Sequence, residues 1–151
     1  MASEKKCATD ALIAPDLQSE SFRQTRQAHR LELMEDYVEL IDDLIAAQGH
    51  AKQVDIAGRL GVAQPTVAKM LRRLSDEGLV QQQHYKGVVL TERGRTLAAD
   101  ARERHRVVEA FLLSLGVSED TARKDAEGIE HHVSAETLAA LQRFAKQHAK
   151  K

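Results

Sequence analysis

Apolar residues recur at helical spacing along the first third of the chain. A helix is predicted from about Ser21 to Gln48, and the following Gly49 is a residue type that commonly ends a helix. Residues 1–20 lack this periodicity, and we interpret them as a flexible N-terminal extension. The stripe that the helix is predicted to bury follows the spacing i, i+3, i+4, i+7, i+10 and i+11 and contains Met34, Tyr37, Val38, Ile41, Leu44 and Ile45.

The middle of the chain predicts two short helices joined by a tight turn at Gly61. The second helix is predicted from Pro65 to about Glu77, because proline suits a first helical turn. Two short helices with a glycine turn are typical of a helix-turn-helix. The first helix is expected to bury Val54, Ala57 and Leu60. The second is expected to bury Val67, Met70, Leu71 and Leu74.

A β-hairpin is predicted directly after these helices. Residues 79–83 and 88–90 have strand character and are joined by a Tyr85-Lys86-Gly87 turn. Such a hairpin is the wing of a winged helix-turn-helix. The predicted fold is therefore mainly α with a small β-wing: a flexible extension (1–20), a winged helix-turn-helix domain (21–93) and a second, helical domain (94–151).

Local charge favours DNA as the partner of the middle segment. The net charge of the whole chain is only −1. Residues 51–95, however, carry eight Lys or Arg against four Asp or Glu, a net charge of +4. Phosphate contacts supply much of the affinity of DNA-binding modules, so we expect these cations to face DNA. The candidate DNA-binding residues are Gln64, Pro65, Thr66, Lys69, Arg72, Arg73 and Lys86.

Composition limits the other possibilities. Cys7 is the only cysteine, which excludes an intrachain disulfide and a cysteine-based zinc cage. No apolar run approaches the ~18 residues of a membrane span, and the N-terminus lacks the apolar segment of a signal peptide, so we expect a cytoplasmic protein with no membrane partner.

The last third of the chain predicts three more helices. The first is expected to begin after Thr91 as its N-cap and to end before Gly116, with His105 at the border of its apolar stripe. Ser118 and Ser134 are the predicted N-caps of the other two. The stripe of the first is predicted to contain Leu97, Ala101, Val108, Leu112 and Leu115.

Two acidic patterns in the chain suggest a metal site, one near residue 130 and one on the first long helix. Glu127, Glu130 and His131 stand at i, i+3 and i+4, so on an α-helix two carboxylates and an imidazole share one face. Oxygen and nitrogen donors suit a divalent transition metal. The first long helix carries a row of like charges, which a cation would relieve: Glu32, Asp36, Glu39 and Asp43. Taken alone, each pattern is more typical of a solvated helix face than of a metal site.

The order of these features resembles the diphtheria toxin repressor family, in particular its manganese transport regulator branch. The resemblance spans about residues 31–141. It is carried by residues 34–41 (MEDYVELI), the Pro65-Thr66-Val67 region, residues 85–91 (YKGVVLT), Arg104-His105 and residues 125–132 (DAEGIEHH).

The resemblance implies that residues 21–93 are a DNA-binding domain, that residues 94–151 are a dimerisation and metal-binding domain, and that the metal site holds two ions. Its expected ligands are Asp36, Glu39, His105, Glu127, Glu130 and His131. In the iron-responsive branch a Met and a Cys stand where this chain has Asp36 and Glu127. A purely O/N donor set favours a hard ion such as Mn²⁺, and two Mn²⁺ per subunit are expected. The resemblance thus implies a homodimer that binds double-stranded operator DNA when Mn²⁺ is bound and represses manganese uptake.

Three alternatives stay open on the sequence alone. Fe²⁺ could be the effector instead of Mn²⁺. A winged-helix repressor could respond to an organic ligand, although no small organic substrate is expected. A metallohydrolase with Glu109 as a base would use the same donors, but the sequence contains no further catalytic group, so we expect no enzyme.

Overall fold

Six α-helices, one 3₁₀ turn and a two-stranded antiparallel sheet make up the part of the chain that the structure, a computed structural model, describes, residues 12–148. This architecture confirms the predicted fold class. No helix in this range is long and apolar enough to cross a membrane. In chain order the elements are α1 (Pro15–Gln48), α2 (Gln53–Leu60), α3 (Gln64–Asp76), β1 (Val80–Gln83), β2 (Gly87–Leu90), α4 (Glu92–Ser114), α5 (Glu119–Ile129), the 3₁₀ turn (Glu130–His132) and α6 (Ala135–His148).

The first helix is longer than its apolar pattern predicts. It begins at Pro15, so the predicted start at Ser21 was wrong. Its early turns are exposed to solvent, and apolar periodicity cannot reveal a helix that buries nothing. The predicted end is confirmed, since the Gly49 N–H donates to the Ile45 carbonyl at 2.9 Å with φ at 77°. The part of the predicted extension at 1–11 lies outside the described residues.

The helix-turn-helix forms a core with the second half of α1. The predicted α1 stripe is buried from Met34 to Leu44, with Ile45 half-buried. In α3, Val67, Leu71 and Leu74 are buried and Met70 is half-buried. The prediction for α2 was wrong at one position, because Ile56 and Ala57 are the residues that turn inward and Val54 is left 54% exposed.

The wing is attached to the connection between α1 and α2. Its strands pair from Val80 opposite Leu90 to Gln83 opposite Gly87. The Ala51 N–H donates to the Lys86 carbonyl, and the Val88 N–H donates to the Ala51 carbonyl, both at 2.9 Å. A Cβ at Gly87 would lie 2.3 Å from the Ala51 oxygen, so this close approach requires glycine.

The second half of the chain is organised around α4. The predicted N-cap is confirmed, because Thr91 Oγ1 accepts from the Gly94 N–H at 3.2 Å. This helix packs against α1, α5 and α6 and therefore connects the two halves. The predicted stripe was wrong at its end, since Leu115 follows the last helical residue and is 55% exposed.

Candidate metal centre and nucleic-acid surface

Four elements bring the predicted metal ligands to the junction of the two halves. Asp36 and Glu39 lie on α1, His105 on α4, Glu127 on α5, and Glu130 and His131 in the 3₁₀ turn. The buried stripe of α1 fixes the face on which its two acidic residues stand. The packing of α4 against α1 and α5 fixes His105.

Glu130 lies at the centre of this arrangement. Its side chain is 3% exposed. One oxygen, Oε2, lies 2.8 Å from His105 Nδ1, and the other, Oε1, lies 3.4 Å from His131 Nε2. Two further carboxylates extend the arrangement on either side. Glu127 Oε1 is 3.7 Å from His105 Nδ1, and Asp36 Oδ1 is 3.7 Å from His131 Nε2.

The helix type changes at Glu130, within the predicted ligand motif. The α-helical face expected for residues 127–131 is not formed as predicted, because α5 ends at Ile129 and a 3₁₀ turn follows. Glu127 and Glu130 still approach His105. His131 is directed instead toward α1, where Glu35 and Asp36 lie. The donors therefore form two groups that share Glu130.

Three of the six predicted ligands form a compact group that does not contain Glu39, Asp36 or His131. Within the described chain, the group whose ligand atoms all lie within 4.8 Å of one another consists of His105, Glu127 and Glu130. Glu39 is half-buried on α1. Burial raises the pKa of its carboxyl group, and the charges of Glu127 and Asp36 raise it further, while Arg102 opposes them. The Glu39 carboxyl group therefore interacts electrostatically with the carboxyl groups of Glu127 and Asp36.

Burial and nearby negative charges raise the pKa of three carboxyl groups of the centre: Glu39, Glu130 and Asp36. Burial raises the pKa of Glu130 to about 8, His131 opposes this shift, and the carboxylates of Glu127 and Glu39 add to it. Burial also raises the pKa of Asp36. At neutral pH Glu130 thus keeps its proton, and a cation would have to displace it.

Glu35 is a residue of the centre that the sequence analysis did not assign. Its side chain is 9% exposed and forms an ion pair with Arg104 of α4. Its second oxygen lies 2.8 Å from His131 Nδ1. With the proton on Nδ1, His131 donates to Glu35 and leaves Nε2 directed at Asp36 and Glu130. Glu35 stands three residues before Val38 of the predicted buried stripe, and this spacing indicates the same face of α1.

A second ion-pair group joins α1 and α4 beside the centre. Arg102 donates to Asp42 at 2.6 Å and to Asp43 at 2.5 Å. It also donates to the Glu39 carbonyl at 3.3 Å. Asp43 of the acidic row therefore has a protein partner. This role of Arg102 was not predicted from the sequence.

The donors of the centre fit a divalent cation. Glu130 Oε2 is buried and, despite its short distance to His105, makes no hydrogen bond of acceptable geometry with the described residues. A buried carboxyl oxygen without a hydrogen-bond partner is costly in a protein interior, and a cation that displaced the Glu130 proton would satisfy it. Carboxylate and imidazole donors without a thiolate suit Mn²⁺ or Fe²⁺.

The predicted DNA-binding residues lie on one exposed side of the helix-turn-helix and at the tip of the wing. The side of α3 opposite Val67, Leu71 and Leu74 faces solvent. The tip of the wing is exposed as well, with Tyr85 at φ 70°. Of the candidates, Arg73 is half-buried, and those exposed are Gln64, Pro65, Thr66, Lys69, Arg72 and Lys86.

Two consecutive parts of the chain match known family domains. Residues 30–88 match the family described as "Iron dependent repressor, N-terminal DNA binding domain". Residues 91–150 match "Iron dependent repressor, metal binding and dimerisation domain". The chain belongs to the iron-dependent repressor family. It carries both the DNA-binding domain and the metal-binding and dimerisation domain that define this family.

Individual relatives within the iron-dependent repressor family are similar over most of the chain. The chain is 57% identical over 140 residues to "Transcriptional regulator MntR" of Escherichia coli O157:H7, a match that covers 93% of this chain and 90% of that protein. It is 61% identical over 129 residues to the protein of the same name from Salmonella typhimurium, covering 85% and 82%.

A solved structure shares the fold at lower identity. The structure described as "Structure of the manganese regulator SloR" is 32% identical, with a TM-score of 0.66. The match covers 75% of this chain and 53% of that one. This chain therefore spans about half the length of that regulator.

Proposed function

We propose that this member of the family is a homodimeric, manganese-dependent DNA-binding repressor. In its metal-bound form it binds operator DNA and represses genes for manganese uptake. The observation that carries the proposal is the buried Glu130 carboxyl, which lies between His105 and His131 and has a pKa of about 8. A buried acid surrounded by further acids favours a bound cation.

The six candidate ligands divide into two positions that share Glu130. The ligand atoms of His105, Glu127 and Glu130 lie within 4.8 Å of one another and would form one position. Asp36 and Glu130 each lie within 3.7 Å of His131 and would form the other position with it. Glu39 is the remaining candidate and contributes charge to both. Four carboxylates carry −4 when ionised, which two divalent ions would neutralise. We therefore propose two Mn²⁺ per subunit.

Manganese is proposed over iron on the chemistry of the donors. All six candidate side chains offer oxygen or nitrogen, and none offers sulfur. The structurally similar SloR is described as a manganese regulator, which supports the same choice. The family description names iron, so Fe²⁺ is the second candidate effector.

The centre lies where ligand binding can control the orientation of the DNA-binding half. Asp36 and Glu39 belong to α1, which packs against the helix-turn-helix, whereas the other four candidates follow residue 93. We propose the boundary between the two domains near this residue. Without a cation, the carboxylates of the two halves repel one another. Asp36 and Glu39 of one half and the four ligands of the other would hold a cation between them, and its charge would shift the population toward the geometry that fits operator DNA.

We propose the DNA contacts because these side chains are mostly exposed and several of them are positively charged. Lys69, Arg72 and Lys86 would contact phosphates, and Arg73 would join them at the edge of α3. Gln64, Pro65 and Thr66, at the start of α3, would lie near base edges. The two subunits of the dimer would read half-sites about one helical turn, roughly 34 Å, apart. The role is regulatory rather than catalytic, and we place it in the cytoplasm.

The proposal predicts metal-dependent DNA binding that requires Glu127. Fluorescence anisotropy would follow duplexes that the protein selects from a random pool, titrated in Mn²⁺ and in chelator. Binding should appear with Mn²⁺ and disappear with chelator, and Glu127→Ala should abolish it because one position loses a carboxylate. Glu119→Ala, an exposed change at the start of α5, is the control and should behave as wild type.

Two results would contradict the proposal. Equal binding of wild type with and without Mn²⁺ would exclude metal control. Mn²⁺-dependent binding by Glu127→Ala at wild-type affinity would show that the cation acts elsewhere. Titration with Fe²⁺ under anaerobic conditions decides between the two effectors.

A further inference from the structure

A row of arginines continues the core-facing side of α1 toward its N-terminus. Arg23, Arg26 and Arg30 are separated by three and four residues, and the buried Met34 follows four residues later. This spacing puts them on one face of the helix. Between residues 21 and 31 the chain contains these three arginines and no acidic residue. The side of α1 that faces the DNA-binding half is therefore positively charged beyond the core.

This row reaches the proposed DNA-binding surface. An open groove of about 660 Å³ lies between α1 and the end of α3. Four of its lining residues are arginines, namely Arg73 and the three of the row, and Glu77 is the one acidic residue among them. Arg73 connects the row to the basic side of α3, so the two positive surfaces are continuous.

The arginines of the row are weakly engaged by the described part of the protein. Arg23 pairs with Glu20 at 3.2 Å, but both side chains are more than half exposed. Exposed pairs of this kind contribute little to stability. Arg26 and Arg30 are exposed and form no ion pair within residues 12–148. Like charges three and four residues apart repel one another, so an external anion would stabilise the row.

We propose that Arg23, Arg26 and Arg30 form, with Arg73, a second phosphate-binding surface that holds the DNA backbone beside the segment occupied by α3. This inference rests on the DNA binding proposed above. Guanidinium groups bind phosphate oxygens in a two-pronged geometry. The residues that line the groove include no aromatic side chain, so the surface suits backbone contacts rather than base stacking. The surface would increase the length of DNA that the protein contacts without changing the base sequence that it recognises.

The test compares two double variants with equal changes in charge. Arg26→Gln with Arg30→Gln removes two arginines of the row, and glutamine keeps the helix propensity. Arg106→Gln with Arg123→Gln is the control, since both arginines are exposed in the other half and pair locally with Glu103 and Asp120. DNA affinity would be measured with Mn²⁺ as a function of salt. The duplexes would be those selected by wild type, at the minimal length and with about ten extra base pairs, one helical turn, on each side.

We expect the row variant to reduce the magnitude of the salt slope by up to about 1.8, since each lost phosphate contact contributes about 0.9. It should also lose the affinity that wild type gains from the longer duplex, while its Mn²⁺ binding stays unchanged. A salt slope equal to that of the control variant would overturn the inference. So would a change of oligomeric state, measured by sedimentation equilibrium, that accounts for the lost affinity. Failure of wild type to bind DNA with Mn²⁺ would overturn the proposed function as well.

Discussion

The metal centre and the nucleic-acid surface differ in how they hold charge. At the centre, Glu130 is almost fully buried, and Glu35 is paired with an arginine and a histidine. On the proposed DNA-binding surface, Lys69, Arg72 and Lys86 are exposed on α3 and the wing. Charges in the interior interact strongly and depend on geometry, whereas exposed charges are screened by salt.

This difference predicts two kinds of response to substitution. Removing one buried donor should abolish a function, because the remaining groups lose their arrangement. Removing one exposed cation should weaken DNA binding by a limited amount that depends on salt. The loss of function on substitution should therefore be largest at Glu130, smaller at Glu35, which contacts a proposed ligand, and smallest at Lys86 in the tip of the wing.

Glu130→Gln should be the most damaging substitution, because this carboxylate is shared by both proposed metal positions. We expect Mn²⁺ affinity, measured by isothermal titration calorimetry, to fall by more than about 100-fold, beyond the range typical of outer-shell changes. Glu136→Gln, an exposed change at the start of α6, is the matched control. Mn²⁺ binding within a few-fold of wild type would remove Glu130 from the ligand set.

Glu130→Gln also tests whether the pKa of the Glu130 carboxyl group is raised in the folded protein. With its pKa raised from 4.5 to about 8, the folded metal-free protein holds a proton that the unfolded chain releases. This contribution to stability is fully present below pH 4.5 and is lost as the pH rises through 8. Glu130→Gln should therefore weaken the dependence of the metal-free protein's melting temperature on pH over this interval. An unchanged dependence would contradict the raised pKa.

Metal binding should also release a proton for the same reason. Because Mn²⁺ must displace the proton on Glu130, Mn²⁺ affinity should rise as the pH increases toward 8. Calorimetry in buffers of different ionisation enthalpy measures the number of protons released. A value of zero at pH 7 would mean that Glu130 is already ionised in the metal-free protein.

Glu35→Gln tests a residue that contacts the proposed ligand His131 and is not itself a proposed ligand. We expect Mn²⁺ affinity to fall about 10- to 100-fold, because His131 loses the carboxylate that orients its ring. Mn²⁺ affinity is measured by calorimetry, and circular dichroism checks the fold. An affinity equal to wild type would show that the orientation of His131 does not depend on Glu35.

Lys86→Ala should be the mildest of these substitutions. Loss of one exposed cation at the tip of the wing should lower DNA affinity about equally across sequences and reduce the salt slope by about 0.9. Anisotropy with selected and unselected duplexes measures both quantities. A changed sequence preference would mean that Lys86 contacts bases rather than phosphates.

Much of the fold follows from local patterns in the sequence. The helix-turn-helix and wing are marked by residues whose conformational roles are local, such as the Thr91 N-cap and Gly49 at the end of α1. The early turns of α1 and the exposure of Val54 were not predicted, because an exposed helix has no stripe and a short helix has too few residues to fix one.

The centre is less predictable, because its geometry depends on several elements at once. The structure brings His105, Glu127 and Glu130 together, and these residues were predicted as ligands from the motif and the family resemblance. Their metal-binding role stays a prediction. Glu35 and Arg104 are 69 positions apart and meet only because α1 packs against α4. The 3₁₀ turn at Glu130 likewise depends on packing that the spacing of the motif does not reveal.

Coupling between the metal centre and the nucleic-acid surface can be tested by thermodynamic linkage. If the metal-bound form is the DNA-binding form, Mn²⁺ must tighten DNA binding by the same factor by which DNA tightens Mn²⁺ binding. Both affinities would be measured on the full chain, the first by anisotropy and the second by calorimetry with and without a selected duplex. We predict equal factors greater than one. Mn²⁺ affinity that is the same with and without DNA would contradict control of DNA binding by the metal.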